Sequence, residues 1–117
     1  MEISIQKSAW VQAFPASITV CDVDGIILEM NAGSIKEFEK YGGADLIGKN
    51  LIQCHSEASG AKLKEMLASQ QPNIYSIEKH GKKQLVYQHP WYQDGKYSGF
   101  VEIILTLPQE VPNFNRG

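Results

Sequence analysis

The side chains best equipped for chemistry are adjacent: Cys54 and His55, followed by Ser56 and the apolar-periodic run Glu57 to Gln70. Ser56 is a good helix N-cap, so the thiol stands near a helix start, where unpaired N–H groups and a neighbouring imidazole both favour thiolate. Either group ligates transition metals. Two such ligands leave a tetrahedral zinc site incomplete. A haem, whose porphyrin supplies the remaining nitrogens, asks the protein only for axial ligands, so His55 or Cys54 as axial ligand, or Cys54 as a redox sensor, is the chemistry this pair supports. Packing competes with that reading, because cysteine is among the most buried residue types and adjacent side chains often point apart. Catalysis fits less well. Nothing evident orients Cys54 with His55 or His89 as nucleophile and base, and no glycine-rich loop offers an oxyanion or phosphate site, which leads to the expectation of a non-enzyme.

The elements that must position these residues follow from periodicity and turn chemistry. Residues 4–14 read as a short helix with Trp10 and Phe14 one turn apart, ended by Pro15. Ser17 to Asp22 and Ile26 to Met30 read as strands joined by a two-residue turn at Asp24-Gly25. Asn31 caps a helix from Ala32 to Tyr41, Gly42-Gly43 stops it, and Ala44 to Ile47 forms one more turn. In the helix Glu57 to Gln70, Leu63, Met66 and Leu67 make an apolar stripe while Lys62, Lys64 and Glu65 face water, and Pro72 lies beyond its end. Asn73 to Lys79, Lys83 to Tyr92 and Tyr97 to Leu107 then read as strands joined by His80-Gly81 and Asp94-Gly95. Strands, helices, then strands again is an α+β layout with one sheet.

Neither face of that sheet is plainly polar. Alternation sets Leu85, Tyr87, His89 and Trp91 against Val86, Gln88, Pro90 and Tyr92, and sets the aliphatic Val101, Ile103 and Leu105 against the mixed Phe100, Glu102, Ile104 and Thr106. A sheet apolar on both faces needs covering on both. The aliphatic face is expected to meet the stripe Leu63, Met66 and Leu67 around a small, mostly apolar ligand, with Tyr75, Tyr87 and Gln88 as polar selectors. Trp10 and Phe14 are expected to pack on Phe100 and Ile104 across the other face, within one subunit or in a homodimer. A structural dimer whose pocket is filled by its own side chains is the alternative.

Composition narrows the partners. A chain of 117 residues, 43% hydrophobic and 21% charged, is the size of one ordinary domain, so any output is expected to lie in a separate effector protein or in a part of the protein outside this sequence. Net charge is -2 and Arg116 is the only arginine, which argues against nucleic acid. No apolar run reaches the roughly 20 residues that span a bilayer, and Met1-Glu-Ile-Ser lacks signal-peptide order. A cytoplasmic protein without membrane contact is expected, with Cys21 and Cys54 as thiols.

The run Asp22-Val-Asp-Gly-Ile-Ile-Leu-Glu-Met-Asn31 resembles the opening of a PAS domain, and Gly95-x-x-x-Gly99 with Phe100 to Leu107 resembles that family's last hairpin. The resemblance implies a bacterial-type sensory module with a five-stranded antiparallel sheet in the order 2-1-5-4-3. Residues 16–107 would form that domain, residues 1–15 an N-terminal helix serving dimerisation, and residues 108–117 a tail. Leu105-Thr-Leu-Pro108 replaces the family's usual acidic residue and Ile-Thr exit. Gln53-Cys-His-Ser56 partly matches the Asn-Cys-His-Pro of a subset of bacterial members. In Gly48-Lys-Asn-Leu-Ile-Gln53, Leu51 occupies the place of the flavin-photoadduct cysteine, which disfavours that chemistry, and the proximal histidine of haem-binding members would fall at or near Gly60.

Overall fold

The computed structural model describes residues 9–54 and 57–117, with the backbone alone at Gln53 and Cys54. The expectations for the Cys54 and His55 side chains, the Ser56 cap and residues 4–8 lie outside the described residues. Helix α1 (residues 9–13) ends before Pro15, with the Trp10 and Phe14 rings edge-on at 6.3 Å.

Strands β1 (Ser17–Cys21) and β2 (Ile27–Met30) form the first hairpin, on a longer loop than the two-residue turn Asp24-Gly25 predicts. Gly25, at φ 84°, donates its N–H to Asp22 C=O, and the Asp22 carboxylate accepts the N–H groups of Asp24 and Ile26, both at 2.9 Å. Asp22 thus holds the wider loop by satisfying donors that would otherwise need the ladder. A bulge opposite Val20 and Cys21 leaves Leu28 out of the pairing. Ile27 and Met30 therefore both point inward, while Leu28 is exposed.

Asn31 caps α2 (Ala32–Glu37), accepting Ser34 N–H at 2.9 Å. The single helix expected to Tyr41 breaks at Phe38, whose backbone leaves helical geometry, and continues as one-turn 3-10 helices over Glu39–Tyr41 and Gly43–Leu46. Gly42 (φ 126°) and Gly43 (φ 54°) make that change of direction. Residues 48–51 then run beside β2, with Ile27 N–H on Lys49 C=O and Leu51 N–H on Gly25 C=O. That pairing places α3 (Leu51–Cys54), which periodicity does not reveal, directly ahead of α4 (Glu57–Ser69).

The remaining strands are β3 (Asn73–Lys79), β4 (Lys82–Gln93) and β5 (Lys96–Thr106). Both connecting turns have positive φ at both central residues, His80-Gly81 and Asp94-Gly95, the type I′ geometry that follows strand twist. The sheet is antiparallel throughout, in the order β2-β1-β5-β4-β3. Its core clusters join Cys21, Met66 and Phe100, and Ile27, Met30 and Leu46.

Which face of β5 meets the helices is the main correction to the sequence reading. Tyr92 pairs with Tyr97 but Trp91 pairs with Gly99, so Ser98 is an extra residue in β5. A one-residue bulge reverses the facing of every later side chain. Phe100 and Ile104 are consequently buried on the helix side, 6% and 8% exposed, so neither is available for the outer-face contact with Trp10 and Phe14 expected from the sequence. Val101, Ile103 and Leu105 alternate to the outer face, where Ile103 pairs with Tyr87 and Leu105 with Leu85.

Candidate functional site

Between the inner sheet face and the helices lies a cavity of about 810 Å³. Its apolar wall combines Met66, Val86, Phe100 and Ile104, all buried, with Leu63 and Leu67 half-exposed on α4. Tyr41, Lys49, Lys62 and Tyr75 are exposed lining residues and form the mouth. Glu37 of α2 pairs with Lys79 of β3 at 2.7 Å, tying the helix layer to the edge strand beside the cavity.

A file of polar side chains crosses this wall on three adjacent strands. Asn73 Nδ2 donates to Gln88 Oε1 at 2.9 Å, and Gln88 Nε2 donates to Glu102 Oε2 at 2.8 Å. Register explains the alignment, because Gln88 lies opposite both Asn73 and Glu102, and Glu102 lies opposite Thr19. Thr19 shares a hydrogen bond with the fully buried Ser34, linking the central strands to α2. Burial, then the nearby Glu102 charge, pushes the Tyr75 phenol up from its ordinary pKa. Burial also pushes the Cys21 thiol up, so it faces the cavity as a protonated group.

The ligand contacts expected from sequence divide accordingly. Leu63, Met66, Leu67, Tyr75 and Gln88 line the cavity. Val101 borders it between the inward Phe100 and Glu102. Tyr87 and Ile103 pair with each other on the opposite face, away from it. Phe100 and Ile104, expected at a dimer contact, belong to the wall. Sequence reasoning missed Thr19, Cys21, Asn73 and Glu102. Thr19 and Cys21 alternate inward along β1 and Asn73 lies opposite the inward Gln88, whereas the facing of Glu102 is legible only once the Ser98 bulge is placed.

Neither a family model nor a curated protein matches the chain in sequence. Solved structures do match in shape. The C-terminal domain of a Streptococcus mutans protein superposes with TM-score 0.70 at 18% identity, over 91% of this chain and 85% of that one. The PAS domain of Bordetella pertussis BvgS matches with TM-score 0.64 at 17% identity, over 92% of this chain and 89% of its own. The Vibrio cholerae Aer2 receptor, described as a dual PAS-heme oxygen sensor, matches with TM-score 0.62 at 16% identity, over 80% and 95%. With the strand order above, these decide the architecture. The chain has the PAS fold.

The haem candidates Cys54 and His55 lie outside the described side chains, and the two described histidines stand away from the cavity. His80 occupies the turn between β3 and β4, His89 faces outward with Tyr87 stacked beside it, and neither borders the cavity. Gly60, at or near which the proximal histidine of haem-binding members would fall, is buried with Ile52 C=O 2.9 Å from the place a Cβ would take. Among the described residues no group of three His, Cys, Asp or Glu is arranged to hold a metal ion. Leu51 lines the cavity where the photoadduct cysteine would stand. No described helix is long and apolar enough to cross a membrane.

Proposed function

We propose that this PAS-fold chain is a non-catalytic sensory module that binds a small, mostly apolar molecule between its sheet and α4 and passes the signal to a separate effector protein. The cavity carries the reading. Its volume of about 810 Å³ falls in the range of small-molecule sites, and its largely apolar wall with a few convergent polar groups is the pattern such sites share. Fold likeness to sensor domains agrees in class and leaves the ligand to the site. Native mass spectrometry of the purified protein and a thermal-shift screen across apolar metabolites test it. Binding should be lost in Met66→Trp, whose indole fills the space beside Phe100. Absence of any bound molecule together with no shift from any compound overturns the reading.

Homodimerisation is the second reading, on the outer sheet face. Val101, Ile103 and Leu105 are only half-buried, and Trp10 (64% exposed) and Phe14 (43%) present their rings to solvent and to each other. A second copy would cover both patches. Sedimentation at tens of micromolar should show a dimer that Ile103→Lys dissociates; monomer alone in the unaltered protein rules it out.

A further inference from the structure

The mouth of the cavity is built from hydrogen-bond donors, and we infer from this that its occupant is a mostly apolar molecule with one anionic head, held at the mouth by Lys49 and Lys62 while its body lies inside. This rests on the ligand-binding reading above and names the class of ligand. The exposed residues that line the cavity are Tyr41, Lys49, Ser59, Lys62 and Tyr75, and each ends in an O–H or N–H group that can donate. The charged ones are both cations. Among the described residues neither lysine has an ion-pair partner, whereas the acidic lining residue Glu37 is paired with Lys79 at 2.7 Å.

Two separate elements supply the cations. Lys49 is fixed by its backbone, whose N–H donates to Leu46 C=O at 2.9 Å and whose C=O accepts Ile27 N–H at 3.0 Å. Lys62 stands one turn before Met66 on α4, so the two share a helix face, the lysine exposed at the mouth and the methionine buried in the wall. A lysine stem can lie along apolar surface while its ammonium stays in water, which suits it to hold a head group whose body has gone inside. An anionic head gains charge-assisted hydrogen bonds there, an alcohol gains ordinary ones, and an ammonium meets like charge. The body of the same molecule would lie on Met66, Val86, Phe100 and Ile104. Because both lysines are exposed, water and salt screen them, so the gain is modest and depends on ionic strength.

Calorimetric titration at neutral pH with octanoate, 1-octanol and octylamine tests this. Octanoate should bind about fivefold more tightly than octanol, with octylamine weakest, and its advantage should shrink as salt rises from about 0.05 to about 0.5 M. Decanoate should bind roughly tenfold more tightly than octanoate, because two more methylenes are buried; that comparison reads the cavity and not the lysines. The readout for the lysines is the octanoate-to-octanol affinity ratio within each protein, so that any general change in binding cancels. Lys49→Gln combined with Lys62→Gln should bring the ratio to about one. Lys82→Gln combined with Lys96→Gln changes the net charge equally at exposed hairpin positions outside the cavity lining and should keep it near fivefold. A ratio of one or less in the unaltered protein, a ratio that survives loss of Lys49 and Lys62, or one that falls equally in the hairpin variant overturns the inference. A chain-length gain in those cases leaves the cavity reading standing. Binding of none of the alkyl compounds also overturns the inference, and with an empty metabolite screen it removes both.

Discussion

Asn31 is the polar residue on which the N-terminal half of the fold turns, and replacing it by alanine should cost roughly 3–4 kcal/mol. The side chain is 1% exposed and makes four hydrogen bonds, each at 2.9 Å. Its Oδ1 accepts the N–H groups of Ile18 and Ser34, and its Nδ2 donates to the carbonyls of Val11 and Ala16. Loss of the α2 cap contributes about 1 kcal/mol. Ile18 N–H and Ala16 C=O, left without this partner, contribute about 1–1.5 kcal/mol each, and the half-buried Val11 carbonyl less because water reaches it. A domain of this size has about 5–15 kcal/mol in all, so a third or more of its stability is at stake. Urea unfolding followed by circular dichroism should move the midpoint down by about 2 M at a slope of about 1.5 kcal/mol/M. Asn31→Asp keeps both accepted bonds but turns an oxygen toward two carbonyls, and at neutral pH should lose at least as much. A loss below about 1 kcal/mol for Asn31→Ala, or an aspartate variant as stable as the original, would refute this account.

Further outcomes follow from the same geometry. Gly99→Ala should destabilise by roughly 3 kcal/mol or more, because its φ of 135° is strained for any side chain and a Cβ would strike the backbone of Cys21 and Asp22; Gly81→Ala, at φ 74° with nothing within 4 Å, should cost only about 1 kcal/mol, and denaturant midpoints of the pair separate clash from strain. Stability should fall as pH rises above the ordinary thiol value of 9.0, because the unfolded chain ionises Cys21 first while burial holds the folded thiol protonated; Tyr75 and Tyr97 add the same sign above 10.0, and urea midpoints from about pH 8 to about 10.5 should decline less steeply in Cys21→Ala.

The sequence by itself determined the element order and most boundaries, because those are local. His80-Gly81 and Asp94-Gly95 can adopt the paired positive φ that a short hairpin requires, and Asn31 ahead of an amphipathic run is a cap wherever the chain goes. The stripe Leu63, Met66 and Leu67 faces the cavity as its spacing predicts. The helical turn at Leu51–Cys54 was not legible, since it is placed by pairing of residues 48–51 with β2 and by close packing of Gly60 on Ile52. Only the tertiary structure decided which residues of β5 build the site. A period of two carries no information about its own phase, and one extra residue at Ser98 turns Phe100, Glu102 and Ile104 inward and Val101, Ile103 and Leu105 outward. That bulge sits where Gly99 lets β5 approach the backbone of Cys21 and where Trp91 Nε1 donates to Cys21 C=O at 3.1 Å. Contacts across three strands set the phase, so no local pattern in β5 could have announced it.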